Sequence, residues 1–281
     1  MKNIKNNNAA ESQNSQNKTE IKKLIFVSLI IVFLLFGLFI FTQNKPQLQS
    51  YDKKEGSTYT LLEISDEDFL DKIKFGKTSE IEQMLHSGAN VNAVDAKGQN
   101  AFTIAALFNG KPEVAQILKK GGVDINYQDT NGYTPLMKSI ISAGNSYKFI
   151  NELIKLGANV NLKTTSGITA LSVAASSNND ENVIEALIKA GAEVNYINKD
   201  CSTPIMVAAK INTNPKVIEA FINHGAKTSQ KDLRQLLFSC YKDNKQINIK
   251  DSKFYSVYDI AKTNPSLARD TKLMEKLKKG A

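Results

Sequence analysis

The sequence predicts an all-α repeat solenoid of stacked helix-turn-helix units with hairpin fingers, preceded by one transmembrane helix. Three observations carry that expectation. A glycine followed by an apolar-Asn pair recurs, its closing asparagines Asn92, Asn126, Asn161 and Asn195 standing 34, 35 and 34 residues apart. A second set, Asn100, Thr134, Thr169 and Thr203, repeats the same intervals. An eighteen-residue run without a charge, LIFVSLIIVFLLFGLFIF, occupies residues 24–41. Self-similarity at a fixed period of this size marks units that bury a core by stacking.

Within each unit the elements follow from residue chemistry. Asn and Thr are N-cap residues whose side-chain oxygen accepts a bond from the free amides of the first turn, worth about 1 kcal/mol each. Pro135 and Pro204 take the first helical position, where a missing N–H is harmless. The first helix is short, and the pairs Ala105-Ala106, Ala174-Ala175 and Ala208-Ala209 permit close packing. It ends at Asn109-Gly110, Gly144-Asn145, Asn178-Asn179 or Asn212, residues that tolerate a left-handed turn. A second helix has apolar residues at helical spacing, as in Val183, Ile184, Leu187 and Ile188, and stops at a glycine such as Gly121 or Gly191. An extended segment then leads through a hairpin tip, Asp95 to Gly98 or Asp129 to Gly132, into the next cap.

The apolar run would span about 27 Å as a helix, close to the hydrocarbon thickness of a bilayer, and it lacks a polar stripe. A transmembrane helix is assigned to residues 24–42. A cleaved signal peptide is the competing reading. It is disfavoured by the length of the run, the long leading tail, and Thr42-Gln43-Asn44-Lys45, which offers no small-x-small site. Five lysines precede the span and three follow within eighteen residues, which places the N terminus in the cytoplasm and the rest outside, in the periplasm or extracellular space. Residues 1–23 read as a disordered cytoplasmic tail and 43–60 as a polar linker.

The formal charge of +8 divides unevenly. Residues 44–230 hold nineteen basic and twenty acidic side chains, whereas residues 231–281 hold twelve against six. Nucleic-acid binders gather basic charge on one face, so no nucleic-acid partner is expected. Cys201 and Cys240 have no CxxC spacing and no neighbouring histidine, and are expected to be free thiols. His86 and His224 each precede a helix-ending glycine, where a polar or cationic group suits the helix C terminus. Gly76-Lys77-Thr78 has Asp71 where a phosphate loop needs glycine. Carboxylates such as Asp66-Glu67-Asp68 sit at helix starts, where the dipole explains them. No nucleophile, base and oxyanion donor converge, so the expectation is no catalytic site, no metal, no cofactor and no small-molecule substrate.

The ends depart from the register, as repeat arrays require. Ser65-Asp66-Glu67-Asp68 replaces the usual cap at the start. At the other end Asn195 to Asn248 and Thr203 to Ser256 both measure 53, a repeat plus about 19 inserted residues. The folded domain is therefore set at 61–281. It comprises an irregular first repeat at 64–94, regular repeats at about 95–127, 129–162, 164–196 and 198–229, and an extended capping repeat at 230–281.

Thr134-Pro135-Leu136, Leu187-Ile188 through Asn195, and Asp129 through Thr134 closely resemble the TPLHxAA, LLxxGAxVN and DxxGxT elements of the ankyrin repeat. The resemblance covers residues from about 64 to 281. It implies a binding module whose partner, another protein, lies on the hairpin tips and the exposed side of the first helices. Carried to this chain, the tips supply Val94, Lys97, Tyr127, Asn131, Tyr133, Lys163, Ile168, Tyr196, Ile197 and Lys199. The fifth position counted from each cap supplies Ile104, Lys138, Val173 and Val207. The tyrosines are candidate anchors, since they bury area at low entropic cost, with packing between neighbouring fingers as the alternative for Tyr127 and Tyr196. The function expected is a membrane-anchored interaction module displayed outside the cytoplasmic membrane, contacting the lipid bilayer through residues 24–42. The alternatives are a cytoplasm-facing membrane scaffold or a secreted effector released by cleavage of the apolar segment.

Overall fold

The computed structural model describes residues 64–142, 147–177, 180–243 and 256–280. The proposed transmembrane helix, its leading tail and the linker lie outside them. Among the described residues no helix is long and apolar enough to cross a membrane.

Helices come in consecutive pairs. They are α1 (Asp66–Phe75) with α2 (Thr78–His86), α3 (Ala101–Ile104) with α4 (Pro112–Lys120), and α5 (Pro135–Ile141) with α6 (Tyr147–Lys155). Then follow α7 (Ala170–Ser177) with α8 (Glu181–Lys189) and α9 (Pro204–Ile211) with α10 (Pro215–Asn223). A lone helix α11 (Gln230–Asp243) precedes the closing pair α12 (Val257–Ala261) and α13 (Thr271–Gly280). The last turn of α3 widens into a π-turn, Ala105–Asn109, closed by the Gly110 N–H on the Ala105 carbonyl at 2.9 Å. Among the described residues the only β pairing is two isolated bridges, Val94 with Asn100 and Lys163 with Thr169.

The caps do what the residue types predict, with one exception. Asn100 accepts from the Thr103 N–H, Thr134 from Met137 and Thr169 from Ser172. Thr203 makes no such bond, and its hydroxyl is buried without a partner. Ser256 and Asp259 form a reciprocal capping box at the start of α12. The left-handed glycine ending the second unit is Gly122 (φ 89°), not Gly121, which has φ −71°. The register explains the shift, because Gly88, Gly122 and Gly157 are then spaced 34 and 35 apart, like the caps. The longer middle interval has a local origin. The second helix starts twelve residues after the cap in three regular units but thirteen after Thr134, so the extra residue falls between Thr134 and the start of α6.

One apolar core runs through all pairs, from Phe69, Phe102 and Phe149 to Phe221, Val257 and Leu277. Each pair is covered by the next, so the burial that stabilises one unit is shared with its neighbour. Two series of polar bonds fix the stacking register. The closing asparagines reach forward to the following repeat. Asn126 accepts from Asn159 N–H, Asn161 from Glu193 N–H, and Asn195 from Lys227 N–H. Asn161 and Asn195 also donate to the carbonyls of Gly191 and Gly225. At the far end of the units Asn109 donates to Ile73, Asn212 to Ala175, and Asn264 to Ala209 and Asn212.

The cysteines are not free thiols. Cys201 and Cys240 form a disulfide, with Cα atoms 5.8 Å apart and a sequence separation of 39. Spacing rules miss it because the pairing is made by the fold: α11 leaves the register at Ser229 and brings Cys240 to the fourth finger. Closing a loop of this size constrains the unfolded chain by about 4 kcal/mol in the chain-entropy account. Cys201 also has φ 59°, the one non-glycine positive φ among the described residues. That conformation costs about 1–2 kcal/mol, less than the bond contributes.

Removing the side chain of Asn161 deletes two inter-repeat bonds, so Asn161→Ala should lower unfolding free energy by about 1–2 kcal/mol in denaturant titration while leaving helix content unchanged. In the capping box the hydrogen bond from Ser256 holds the Asp259 carboxyl below its ordinary range, with Lys262 assisting. A depressed carboxylate contributes stability above its unfolded pKa and loses it as pH falls through the folded one. Asp259→Asn should therefore be less stable than wild type near neutrality, and the gap should close in acid, as read by thermal melts across pH.

Candidate protein-interaction surface

The finger tips are built alike. In the first three, a backbone bond closes the loop from Asp95 to Gln99, Asp129 to Tyr133, and Thr164 to Ile168; in the fourth it runs from Asn198 to Ser202. A second bond enters the left-handed residue, Gly98, Gly132, Gly167 or Cys201. Asp95 and Asp129 reinforce their turns from the side chain, Asp129 accepting from the N–H groups of Asn131 and Tyr133 at 2.9 Å each. Gly132 is needed twice over: its φ is 77°, and a Cβ there would stand 2.8 Å from the Thr165 nitrogen.

Neighbouring tips are tied together. Thr165 donates to the Asn131 carbonyl through both its N–H and its hydroxyl, and Lys199 Nζ reaches the Thr165 carbonyl at 2.6 Å. Gln128 Nε2 bridges the Gly132 and Lys163 carbonyls. The second, third and fourth tips thus form a continuous, pre-ordered row, the kind of surface that binds without a large ordering cost.

The structure sorts the sequence-derived candidates. Val94, Lys97, Asn131, Lys163 and Lys199 are exposed along the row. Tyr127, Tyr133, Ile168, Tyr196 and Ile197 are half-buried, presenting one side of each side chain. Lys163 Nζ lies 4.2 Å from the centre of the Tyr196 ring, so that tyrosine packs against the preceding finger. Lys138 lies 4.4 Å from the Tyr133 ring centre and 2.9 Å from Asp129, whose side chain is 4% exposed. Ile104 and Val173 are corrections. They are 0% and 4% exposed and belong to the core, so no partner can reach them. Val207 is half-buried against the same core. The fifth helical position faces inward here, because the short first helices are covered by their neighbours on nearly every side.

Sequence reasoning missed two features. Gln128 and Thr165 join fingers across 35 and 34 residues, a role that composition does not mark. Phe75, Phe108, Ile141 and Ile211 are exposed at the opposite, turn-side ends of the first helices, with Phe75 81% exposed. Their signal is an apolar residue set just before a helix-ending Gly, Asn or Ser. His86 and His224 bond through Nδ1 to carbonyls one turn back, Glu82 and Ala220, as helix-terminal residues. Among the described residues no group of His, Cys, Asp and Glu is placed to hold a metal.

A row of rigid tips on stacked helix pairs matches a known architecture. The ankyrin-repeat family, in its three-copy form, matches residues 71–164 and 141–232, together more than half of the chain. The chain belongs to the ankyrin-repeat family. It is 28% identical over 113 residues to SH3 and multiple ankyrin repeat domains protein 1 of Homo sapiens, covering 40% of this chain and 5% of that protein. An ankyrin repeat protein of Fowlpox virus is 32% identical over 110 residues, 38% of this chain and 32% of the viral protein. Glycerophosphocholine phosphodiesterase gde1 of Schizosaccharomyces pombe is 34% identical over 95 residues, 34% of this chain and 8% of that one. The chain spans a third or less of the length of these relatives. Ankyrin repeats are protein–protein interaction modules, and the finger row is where this ankyrin array presents ordered, exposed side chains.

Asp129 holds a turn and a buried ion pair, whereas Lys138 shares the pair and lies over the Tyr133 ring but holds no turn. Asp129→Ala should therefore destabilise the array by about 2–4 kcal/mol and Lys138→Ala by less, as measured by chemical denaturation of the two variants.

Proposed function

We propose that this ankyrin protein is a membrane-anchored module that holds a protein partner on its finger row outside the cytoplasmic membrane, and that it catalyses no reaction. The observation that carries the location is the Cys201–Cys240 bond. Structural disulfides form and persist in oxidising compartments and are rare where thiol reductants are abundant. The charge-free run at residues 24–41 and the excess of lysines before it support the same topology. The binding role is supported by tips held in place by inter-finger bonds and by exposed Lys97, Lys163 and Lys199 beside half-buried Tyr133 and Tyr196. Aromatic side chains flanked by lysines give a surface with both apolar area and orienting charge.

Intact cells producing the full chain test the location. Treatment with a membrane-impermeant phosphine followed by an impermeant maleimide should label Cys201 and Cys240, with no labelling before reduction. Thiols that are free without reductant, and reachable only after lysis, would overturn the proposed side of the membrane. For binding, lysine-directed crosslinking of the full chain should give protein crosslinks at Lys97, Lys163 and Lys199 that Tyr133→Ala weakens several-fold. Crosslinks confined to other faces would remove the finger row from the partner site.

A further inference from the structure

The fourth finger departs from its three predecessors at the left-handed tip position. Gly98, Gly132 and Gly167 occupy the left-handed tip position, and Cys201 stands in the fourth with φ 59°. A side chain is disfavoured there whatever surrounds it. The same cysteine is bonded to Cys240 on α11. That helix begins where a fifth finger would follow Ser229, and the chain returns to register when the Val257 N–H reaches the Thr228 carbonyl at 3.0 Å. Helix α11 is therefore a side branch inserted between two points of the register, Thr228 and Val257, that meet. Near its start α11 is held by Leu233, 1% exposed, and by the Ser229 hydroxyl capping the Asp232 N–H. Near its end it is held on the fourth finger by Cys240, whose sulfur also lies 4.0 Å from the Asn198 carbonyl.

We propose that the Cys201–Cys240 bond is a redox-set latch: it clamps α11 against the fourth finger as the end wall of the finger row, and its reduction by a dithiol releases that wall while the repeat array stays folded. The chemistry is thiol–disulfide exchange. A thiolate of the dithiol attacks the half-buried Cys240 sulfur, and the S–S bond breaks with the electron pair leaving on Cys201, which takes up a proton. The second thiol of the reductant then displaces Cys240, leaving two protein thiols and an oxidised, cyclic reductant. The stacking of the array does not run through the bond, because it rests on the shared core and on the asparagine ladders. The branch depends on it, since the bond joins the later part of α11 to the finger.

Hydrogen exchange read by mass spectrometry on the full chain in detergent micelles tests the latch. Reduction by dithiothreitol, and separately Cys240→Ser, should speed exchange of amides in residues 230–243 on the order of tenfold or more, with helices α1 to α8, which lie outside the loop that the bond closes, unchanged. Equal protection of α11 with and without the bond would show that packing alone holds the branch and would overturn the proposal. Loosening of α1 to α8 together with α11 would also overturn it, by making the bond a staple of the whole array. Two variants separate the backbone from the bond. Cys201→Gly removes both the bond and the strained side chain, and Cys201→Ser removes only the bond. The glycine variant should melt higher than the serine variant, and the reverse order would contradict a left-handed cysteine retained for the latch.

Discussion

No helix pair in this protein can bury its own apolar face, and the rest of the structure follows from that constraint. The pairs are short, their first helices buried on nearly every side, and each needs the next as its cover. The array must therefore continue until something closes it. At the start Asp66, Glu67 and Asp68 give α1 an acidic first turn suited to the helix dipole. At the end α13 buries Leu273 and Leu277 while its lysines face water. The basic excess of the last segment is a consequence of closing a solenoid with a solvated outer face.

Stacking alone would let neighbouring units slide, since apolar contact is non-directional. The polar ladders remove that freedom. Asn161 and Asn195 each clamp the next repeat with one donated and one accepted bond, and Asn212 and Asn264 do the same work from the turn side. With both edges pinned, the tips fall into one row and can be tied finger to finger by Thr165 and Lys199. The binding surface is thus a by-product of how register is enforced.

Much of this was legible from periodicity because capping and left-handed turns demand particular residues at particular places. Asn100, Thr134 and Thr169 announced helix starts, and the recurring asparagine announced a bond to the next unit before its partner was known. What escaped depended on distances that only folding creates. The inward turn of Ile104 and Val173 depends on how neighbours cover a short helix, which the count from a cap does not contain. The disulfide escapes for a related reason: motif spacing gives Cys201 no partner, whereas its position in the register is that of a tip glycine. A non-glycine residue in a slot reserved for left-handed backbone was the available signal.

The cross-link has a mechanical consequence. Cys201 and Cys240 enclose α9, α10 and most of α11 in a closed ring of chain. Tension applied between the two ends of the polypeptide would pass from one sulfur to the other and leave the ring slack. About 130 Å of contour length, at the reach of an extended chain, is withheld from stretching for as long as the bond is intact. Under that pull the units before the fourth finger and the closing pair α12 and α13 can lengthen, whereas α9 and α10 can be drawn out only in a reducing environment.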